Sequence, residues 1–257
     1  MHSATDTLVV FDVDNSLVDG ETSVVVGRRL YPEVVAPLNQ RWLRGELDSA
    51  EVLDLFHSRL AVDRPLVSPD QIREAAASMP LHPRMAEAVR LASAGGACVH
   101  IISDSAVFYI ESILRRYKLD GCVDCVAANP TNFDKGGHRL RVLPYHDVRL
   151  APHGCPHCRR NLCKGAVLDA VRERLGPTTR VLYVGDGVGD FCPATRLTEY
   201  DVVFARANAA DGKPYGLLAK LEACTPKVRA TVVQWHTGED IFDHFSAIFP
   251  VHQPPAA

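Results

Sequence analysis

The sequence has no long hydrophobic run, no excess of charge of one sign and no low-complexity segment. No apolar stretch approaches the roughly 18 residues that cross a membrane. Residues 1–6 lack the basic and apolar segments of a secretory leader. The 28 basic residues, against 31 acidic ones, leave no basic stripe for a polynucleotide. We therefore expect a soluble cytoplasmic protein with neither nucleic acid nor membrane as its partner.

Two acids follow the first apolar stretch, residues 8–11. Asp12 and Asp14 are two apart on a predicted strand and therefore share a face. Their charges repel and raise each other's pKa unless a cation lies between them. Mg²⁺ is the natural occupant, because it takes hard oxygen ligands and keeps positions for water and a substrate phosphate. The pair predicts phosphate chemistry; the alternative is a strand that ends in a solvated Asx turn.

Three later segments also join an apolar stretch or a predicted helix to polar groups. The predicted strand 97–102 runs into Ser103 ahead of a predicted helix, where a hydroxyl can bind a phosphate oxygen. Lys164 lies near the start of another predicted helix, and a third strand leads into a glycine-rich turn with Asp186 and Asp190. Taken singly, each has a simpler interpretation: Ser103 as an N-cap, Lys164 as a surface charge and the glycine-rich segment as a turn. Together they predict a crevice site at the carboxyl ends of strands in an α/β sheet.

These residues resemble the four motifs of the haloacid dehalogenase (HAD) superfamily of aspartate-nucleophile phosphatases, namely 12–16, Ser103, Lys164 and 185–190. Within it, the chain is similar to the PHOSPHO subfamily of phosphoethanolamine/phosphocholine, pyridoxal phosphate and plant thiamine monophosphate phosphatases. That similarity rests on residues 102–105, 144–146, 155–165 and 183–193, and extends over about residues 7–249. It implies an HAD-like α/β fold, a doubly wound and mostly parallel sheet with a small helical cap inserted after the first strand.

The resemblance also implies a mechanism. Asp12 would attack phosphorus and form an aspartyl-phosphate, which divides one difficult displacement into two easier ones. Asp14 would protonate the leaving alcohol and then activate water. Ser103 and Lys164 would hold the phosphoryl oxygens.

A magnesium ion is implied at the same place. Asp12, the backbone carbonyl of Asp14, and Asp186 are the expected protein ligands, and the ion would screen charge as the phosphate approaches. Asp190 is expected to lie behind these ligands and to orient metal-bound water or Lys164.

Some positions depart from the family pattern in ways that bear on the substrate. Several relatives carry an acid where this chain has Ser23, and that acid helps to hold a cationic amine. Asp104 and Glu21 are the remaining candidates for substrate selection. Gly189 and Ala106 stand where the family usually has Asn, and Gly189 removes one hydrogen-bonding group from the metal loop.

The chain is predicted to divide into a core, residues 1–19 and 81–257, and a helical cap, residues 20–80. Helices are predicted at 34–43, 50–61 and 71–79, and the latter two follow the N-cap candidates Asp48 and Ser68. The alternative is that these helices belong to one undivided domain.

Eight cysteines would suggest disulfides in a secreted protein, but the predicted compartment argues against them. His153, Cys155, Cys158 and Cys163 have the short spacing of a structural zinc site, which would fix the loop before Lys164. The alternative is a loop of free thiols. Two further cysteines, Cys122 and Cys125, are interpreted as core residues because valines surround them.

Two other groups of residues are assigned no role in the chemistry. Trp42 and Phe56 have helical spacing with leucines and are interpreted as core rather than as pocket lining. His146 and Asp147, after Tyr145, are interpreted as a hydrogen-bonded surface pair.

The sequence therefore predicts a Mg²⁺-dependent phosphomonoesterase of a small phosphorylated metabolite, with its oligomeric state left open. Pyridoxal phosphate, thiamine phosphate, phosphoethanolamine and phosphocholine are the candidate substrates. One alternative is a phosphotransferase or pyrophosphatase that uses the same residues. Another is a catalytically weak metal-binding or scaffolding protein, which would have no reason to keep all the site residues.

Overall fold

The computed structural model describes residues 7–207, 209 and 212–249, so residues 1–6 and the expectation made for them lie outside it. Its strands are β1 (Thr7–Phe11), β2 (Cys98–Ala106), β3 (Cys125–Asn129), β4 (Thr131–Phe133), β5 (Leu140–Val142), β6 (Arg180–Gly185), β7 (Val202–Arg206) and β8 (Thr231–Trp235). Six of them form a parallel sheet in the order β3-β2-β1-β6-β7-β8, while β4 and β5 pair as a separate antiparallel hairpin.

The helices of the described residues are α1 (Thr22–Leu30), α2 (Pro32–Leu43), α3 (Ser49–Asp63), α4 (Pro69–Ala77), α5 (Met85–Ala94), α6 (Val107–Arg116), α7 (Lys164–Leu175), α8 (Phe191–Ala194), α9 (Gly216–Ala223) and α10 (Gly238–Ile248). None of them is long and apolar enough to cross a membrane.

The strand β1 lies at the centre of the sheet because both of its faces are apolar. All five of its residues are buried. Val9 and Phe11 pack with α5, α6 and α10 on one face, and Leu8 and Val10 pack with α7 and α9 on the other. Helices on both faces of a parallel sheet explain why the strand is continuously apolar rather than alternating. The doubly wound α/β architecture expected from the sequence is confirmed.

The four helices α1 to α4 pack into an apolar cluster of their own, which also takes in Phe108, Tyr109 and the hairpin residues Leu140 and Val142. The chain leaves the sheet region and returns to it at one place, where Val18 and Leu81 form an antiparallel bridge. A segment whose two ends meet in this way has the geometry of an insertion.

Local signals explain where two of these helices start. Asp48 and Ser68 each accept a hydrogen bond from the third residue of the helix that follows, in reciprocal capping boxes with Glu51 and Gln71. Both predicted N-caps are therefore confirmed.

Three expectations need correction here. Cys125 is exposed, because it opens the edge strand β3, whereas Cys122 is only partly buried against the core. Ser103 lies inside β2 rather than at a helix start, because the strand continues through an irregularity to Ala106. Phe56 is buried, but Trp42 is only partly buried and lines a cavity.

Candidate active site

Asp12 lies directly after β1, where the strand order changes direction between β1 and β6. Its backbone N–H donates to the carbonyl of Val184 (2.9 Å) and so continues the pairing of the two strands. Its carboxylate accepts from the N–H of Val13 (2.7 Å), which starts a short helical turn at Val13–Leu17. The side chain is therefore fixed at the point of an open α/β sheet where ligands bind.

Lys164 is the first residue of α7 and is buried between two carboxylates. Its Nζ lies 2.7 Å from Oδ2 of Asp12 and 2.8 Å from Oδ1 of Asp190. Burial lowers the pKa of Lys164, but Asp12, Asp190 and Asp104 outweigh that effect and raise it well above its usual value. The ammonium therefore stays charged, and it lies beside the carboxylate that would attack phosphorus.

Asp190 is fully buried, and both of its oxygens are occupied by donors. Oδ1 accepts from Lys164 and from the hydroxyl of Tyr183 (2.7 Å), and Oδ2 accepts from the backbone N–H groups of Asp186 (3.1 Å) and Gly187 (2.9 Å). With these contacts, the carboxylate positions the lysine and the loop rather than facing a substrate.

Asp14 is connected to the start of α1. Its Oδ1 accepts from the N–H of Thr22 (2.6 Å), and the Thr22 hydroxyl lies 2.8 Å from the hydroxyl of Ser105. The turn that places Asp14 needs a left-handed residue, Asn15, with φ 53°. Burial and the neighbouring Glu21 raise the pKa of Asp14 to about 7, although the bond from Thr22 lowers it. A carboxyl with this pKa can give and take a proton near neutral pH.

Three acids could hold a metal ion. Asp12, Asp186 and Asp190 are buried, and one oxygen of each lies within 4.8 Å of the others. Burial and the Asp190 charge raise the pKa of Asp12 to about 8, and burial with Asp190 and Asp12 raises that of Asp186 well above its usual value. Mutual repulsion of this kind is reversed by a divalent cation, and oxygen ligands suit Mg²⁺. Since donors occupy both oxygens of Asp190, Asp12 and Asp186 are the two carboxylates of this group that fit the expected ion.

The end of β2 supplies Ser103 and Asp104. The Ser103 side chain is buried and accepts a bond from the N–H of Ser105 (3.2 Å). Asp104 accepts from the amide of Asn161 (2.8 Å), which also donates to the amide oxygen of Asn129 (3.1 Å). Asn161 and Asn129 therefore fix the strand end, and Asp104 is already engaged by a protein donor.

These side chains meet at one cavity of about 570 Å³, which Asp12, Asp14, Ser103, Lys164 and Asp186 all line. Its outer wall comes from the helices α1 to α3 and from the loop before α7. The guanidinium carbon of Arg159 lies 4.1 Å from the ring centre of Trp42, and both residues line the cavity with Ser23. Glu21 lies at the rim, where the Asn15 amide donates to it.

The loop before α7 brings its cysteines to a fourth one that the sequence analysis left out. The sulfurs of Cys155, Cys158, Cys163 and Cys192 lie within 4.8 Å of one another. His153 is not part of this group. Its Nδ1 accepts from the N–H of Cys155 (3.0 Å), and its Nε2 lies 2.9 Å from the carbonyl oxygen of Arg159, so both ring nitrogens are occupied.

The sequence contained signals for several residues that received no role. Cys192 is two residues after Asp190, within one of the segments that resemble the subfamily. Asn161 is the first residue of 161–165, within another of these segments.

His146 and Asp147 were expected to form a hydrogen-bonded pair, but each has other partners. Nδ1 of His146 accepts from the N–H of Cys163 (3.3 Å), and Asp147 instead accepts from the N–H groups of Arg149 and Leu150.

The fold and this site define a phosphatase of the HAD type, a phosphoric monoester hydrolase. A phosphoserine phosphatase from T. onnurineus has a similar structure, with a TM-score of 0.57 and 18% identity over 95% of this chain and 97% of that one. At that identity the likeness shows the fold alone. The profile of the family described as Putative Phosphatase matches residues 7–249, and the chain belongs to that family.

Curated relatives support the same assignment. A thiamine phosphate phosphatase-like protein from Arabidopsis thaliana is 32% identical, over 91% of each chain. A pyridoxal phosphate phosphatase from Bos taurus is 31% identical over 92% of this chain and 96% of its own. Inorganic pyrophosphatase 2 from Arabidopsis thaliana is 33% identical over 67% of this chain and 60% of its own.

Proposed function

We propose that this protein is a Mg²⁺-dependent phosphomonoesterase of small phosphorylated metabolites that forms an aspartyl-phosphate on Asp12. The observation that carries the proposal is the placement of the Asp12 carboxylate at the cavity, 2.7 Å from the ammonium of a buried lysine. The lysine would bind the phosphoryl oxygens and lower the repulsion between a carboxylate and a phosphate dianion.

The residues divide the reaction into two steps. An Asp12 oxygen forms a bond to phosphorus as the ester oxygen leaves, and Asp14 gives that oxygen a proton. Water then attacks phosphorus, Asp14 takes the water's proton, and the Asp12 carboxylate is released with inorganic phosphate. The raised pKa of Asp14, about 7, suits both proton transfers.

Asp12, Asp186 and the backbone carbonyl of Asp14 are the residues that would hold Mg²⁺. The ion would supply positive charge between the nucleophile and the phosphate. Asp190 would keep Lys164 and the loop of Asp186 in place through its four hydrogen bonds.

Substitution Asp12→Asn tests the nucleophile. The amide keeps the size of the side chain but cannot form the ester, so we expect turnover to fall by more than the roughly 10²- to 10⁴-fold that loss of a general acid costs. Steady-state phosphate release with Mg²⁺ is the measurement. Asp243→Asn, on an exposed side chain of α10, is the matched control and should keep full activity. Retained turnover in folded Asp12→Asn protein contradicts the mechanism.

We further propose that the substrate carries an aromatic or heterocyclic group rather than a cationic amine. Trp42 and Leu53 give the outer wall a largely apolar surface, and Arg159 places a cation there. Ser23 is uncharged, and Asp104 is already engaged by Asn161. At this wall an ammonium group would meet the cation of Arg159, and Glu21 at the rim and Asp104 are the carboxylates left to balance it.

Substitution Ser23→Asp tests this substrate class. A new carboxylate there should favour phosphocholine and phosphoethanolamine over pyridoxal phosphate by about 1 kcal/mol, roughly fivefold. Thiamine phosphate, whose thiazolium ring is also a cation, should shift in the same direction as the two amines. The measurement is kcat/KM for all four compounds, with Ser23→Asn as the uncharged control. A wild-type preference for phosphocholine above about tenfold, about 1.4 kcal/mol, that neither substitution changes contradicts the assignment.

A pyrophosphatase is the second candidate, because one relative bears that name over two thirds of this chain. Pyrophosphate assayed beside the four esters distinguishes the two activities. If pyrophosphate has the highest kcat/KM, the outer wall does not select the substrate and the pyrophosphatase is favoured.

The boundaries of the cap and the place of the protein in the cell are part of the proposal. The bridge between Val18 and Leu81 supports an inserted cap at residues 20–80 over a core of 1–19 and 81–257. None of the eight cysteines forms a disulfide, which supports a reducing compartment such as the cytoplasm.

A further inference from the structure

Four cysteines from three separate parts of the chain meet beside the candidate active site. Cys155 and Cys158 lie in the loop before α7, Cys163 is the N-cap of that helix, and Cys192 lies in α8. The sulfur of Cys192 is 3.5 Å from that of Cys155 and 3.8 Å from that of Cys163, and all four sulfurs lie within 4.8 Å of one another. Four sulfurs at these distances could hold one metal ion.

These separations fit one tetrahedral zinc ion. A Zn–S bond of about 2.3 Å in a regular tetrahedron places neighbouring sulfurs about 3.8 Å apart. A disulfide would need about 2.05 Å, and none of the four cysteines forms one. Four thiolates are one of the usual ligand sets of structural zinc, and Cys155 and Cys158 have the usual spacing for one half of such a site.

Donors around the sulfurs suit thiolates. The N–H of Ala166 donates to Cys163 at 3.4 Å, and a guanidinium nitrogen of Arg196 lies 3.9 Å from the same sulfur. Arg196 is itself held by Asp169. Four thiolates around Zn²⁺ carry a net charge of about −2, and a nearby cation and backbone donor reduce the cost of that charge.

We propose that Cys155, Cys158, Cys163 and Cys192 bind one structural zinc ion. The ion connects the start of α7, where Lys164 lies, to the segment after β6 that contains Asp186 and Asp190. Cys163 directly precedes Lys164, and Cys192 is two residues after Asp190. The ion therefore links the two segments whose side chains form the 2.8 Å pair between Lys164 and Asp190. This positioning role rests on the proposed phosphatase function, whereas zinc binding does not.

The test is the zinc content of the full chain, purified under reducing conditions with zinc in the growth medium. We expect about one zinc per chain in the wild type, because four protein ligands complete the coordination of a structural site. Cys192→Ser should lose most of the zinc, while Cys125→Ser, on an exposed cysteine, should keep it. His153→Ala should also keep it, which separates this ligand set from one that includes the histidine.

A second measurement covers the case in which Cys192→Ser does not fold. Wild-type protein loaded with Co²⁺ should show the intense visible bands of a tetrahedral thiolate complex, and zinc should remove them. In native zinc-loaded protein, alkylation followed by mass spectrometry should label Cys125 and spare the four cluster cysteines. Wild type without zinc, cobalt protein without thiolate bands, or disulfides among the four cysteines would overturn the proposal. None of these readouts depends on phosphatase activity.

Discussion

Asp190 shows how one residue constrains a whole catalytic loop. Its carboxylate accepts four hydrogen bonds while being fully buried, so it has no room to move. Gly185 passes directly beside it. A Cβ at Gly185 would lie 2.6 Å from Cγ of Asp190, whereas a Cβ at Gly189 would lie 3.7 Å from Asp104 and 3.8 Å from Lys164. A side chain at Gly185 would therefore displace Asp190, whereas one at Gly189 would not.

The substitutions Gly185→Ala and Gly189→Ala should differ sharply. Gly185→Ala must displace a fixed side chain, so we expect a loss of about 1–3 kcal/mol of stability, as for other overpacked sites, and a large fall in kcat. In Gly189→Ala the new methyl group makes only ordinary contacts. We expect kcat to stay within about twofold of the wild type and stability to change by less than about 0.5 kcal/mol. Thermal unfolding and steady-state kinetics on both variants measure this. Equal effects at the two positions would contradict the assigned role of Asp190.

Site residues that directly follow an apolar strand could be predicted from the sequence. Residues that reach the site only through contacts between distant segments could not. Asp12, Asp14 and Asp186 follow apolar stretches, and the structure brings all three to the cavity. Cys192 was missed because it lies 29 residues beyond Cys163 and only the packing of α7 on α8 brings the two sulfurs together. His153 had a suitable spacing, but spacing cannot reveal that backbone groups occupy its ring nitrogens.

At the scale of elements, α3 and α6 are joined by a buried polar contact. Nε2 of His57 lies 2.6 Å from the hydroxyl of Tyr109, and the rings of the two residues are edge-to-face. Burial, with a smaller effect from Arg139, lowers the pKa of His57 from 6.5 to about 3. Between pH 6.5 and about 3, the imidazole is therefore neutral in the folded protein, whereas the same side chain binds a proton in the unfolded chain.

This contact predicts a pH dependence of stability. Between pH 6.5 and about 3 the unfolded state binds a proton at His57 that the folded state does not, so this contribution to stability is complete above pH 6.5 and is lost as the pH falls towards 3. This contribution alone has a slope of about 1.4 kcal/mol per pH unit. Asp12 and Asp14, whose pKa values are raised, contribute slopes of the opposite sign. His57→Gln should therefore lower the slope of the unfolding free energy over pH 4–6.5 relative to the wild type. His138→Gln, on an exposed histidine, should leave the slope unchanged, and an unchanged slope in His57→Gln contradicts the idea.

Helices with clear start signals were predicted, and α1 was not. The signals for α3 and α4 are local, in the capping boxes of Asp48 and Ser68. Three consecutive valines and a glycine give α1 a weak helical propensity. Its helix is stabilised by packing, since Val35 of α2 occupies the space that a side chain at Gly27 would fill. Such packing between helices is not readable from either segment alone.

At the scale of the whole molecule, the sheet places its acids at the reversal of strand order, and the helices α1 to α3 line the same cavity. The apolar stretches predicted a crevice at the carboxyl ends of the strands, and the doubly wound, mostly parallel sheet was predicted from the resemblance to the HAD superfamily. The outer wall was not, because Trp42 from α2 and Arg159 from the loop before α7 meet there across more than a hundred residues. If the outer wall selects the substrate, as proposed, specificity depends on contacts between distant segments that the sequence does not reveal.

The same arrangement predicts that Mg²⁺ stabilises the whole fold. Burial and the charge of Asp190 raise the pKa of both Asp12 and Asp186, a cost that a bound divalent cation would reduce, and the unfolded chain has no such site. Mg²⁺ at about 100 times its Kd should add roughly 2.7 kcal/mol. For a chain of this size that raises Tm by about 5–10 °C. Thermal unfolding with and without the ion measures the shift, and a chelator should reverse it. Asp186→Asn should lose most of the shift, while Asp243→Asn on the exposed face of α10 should keep it; an equal shift in both variants would place the ion elsewhere.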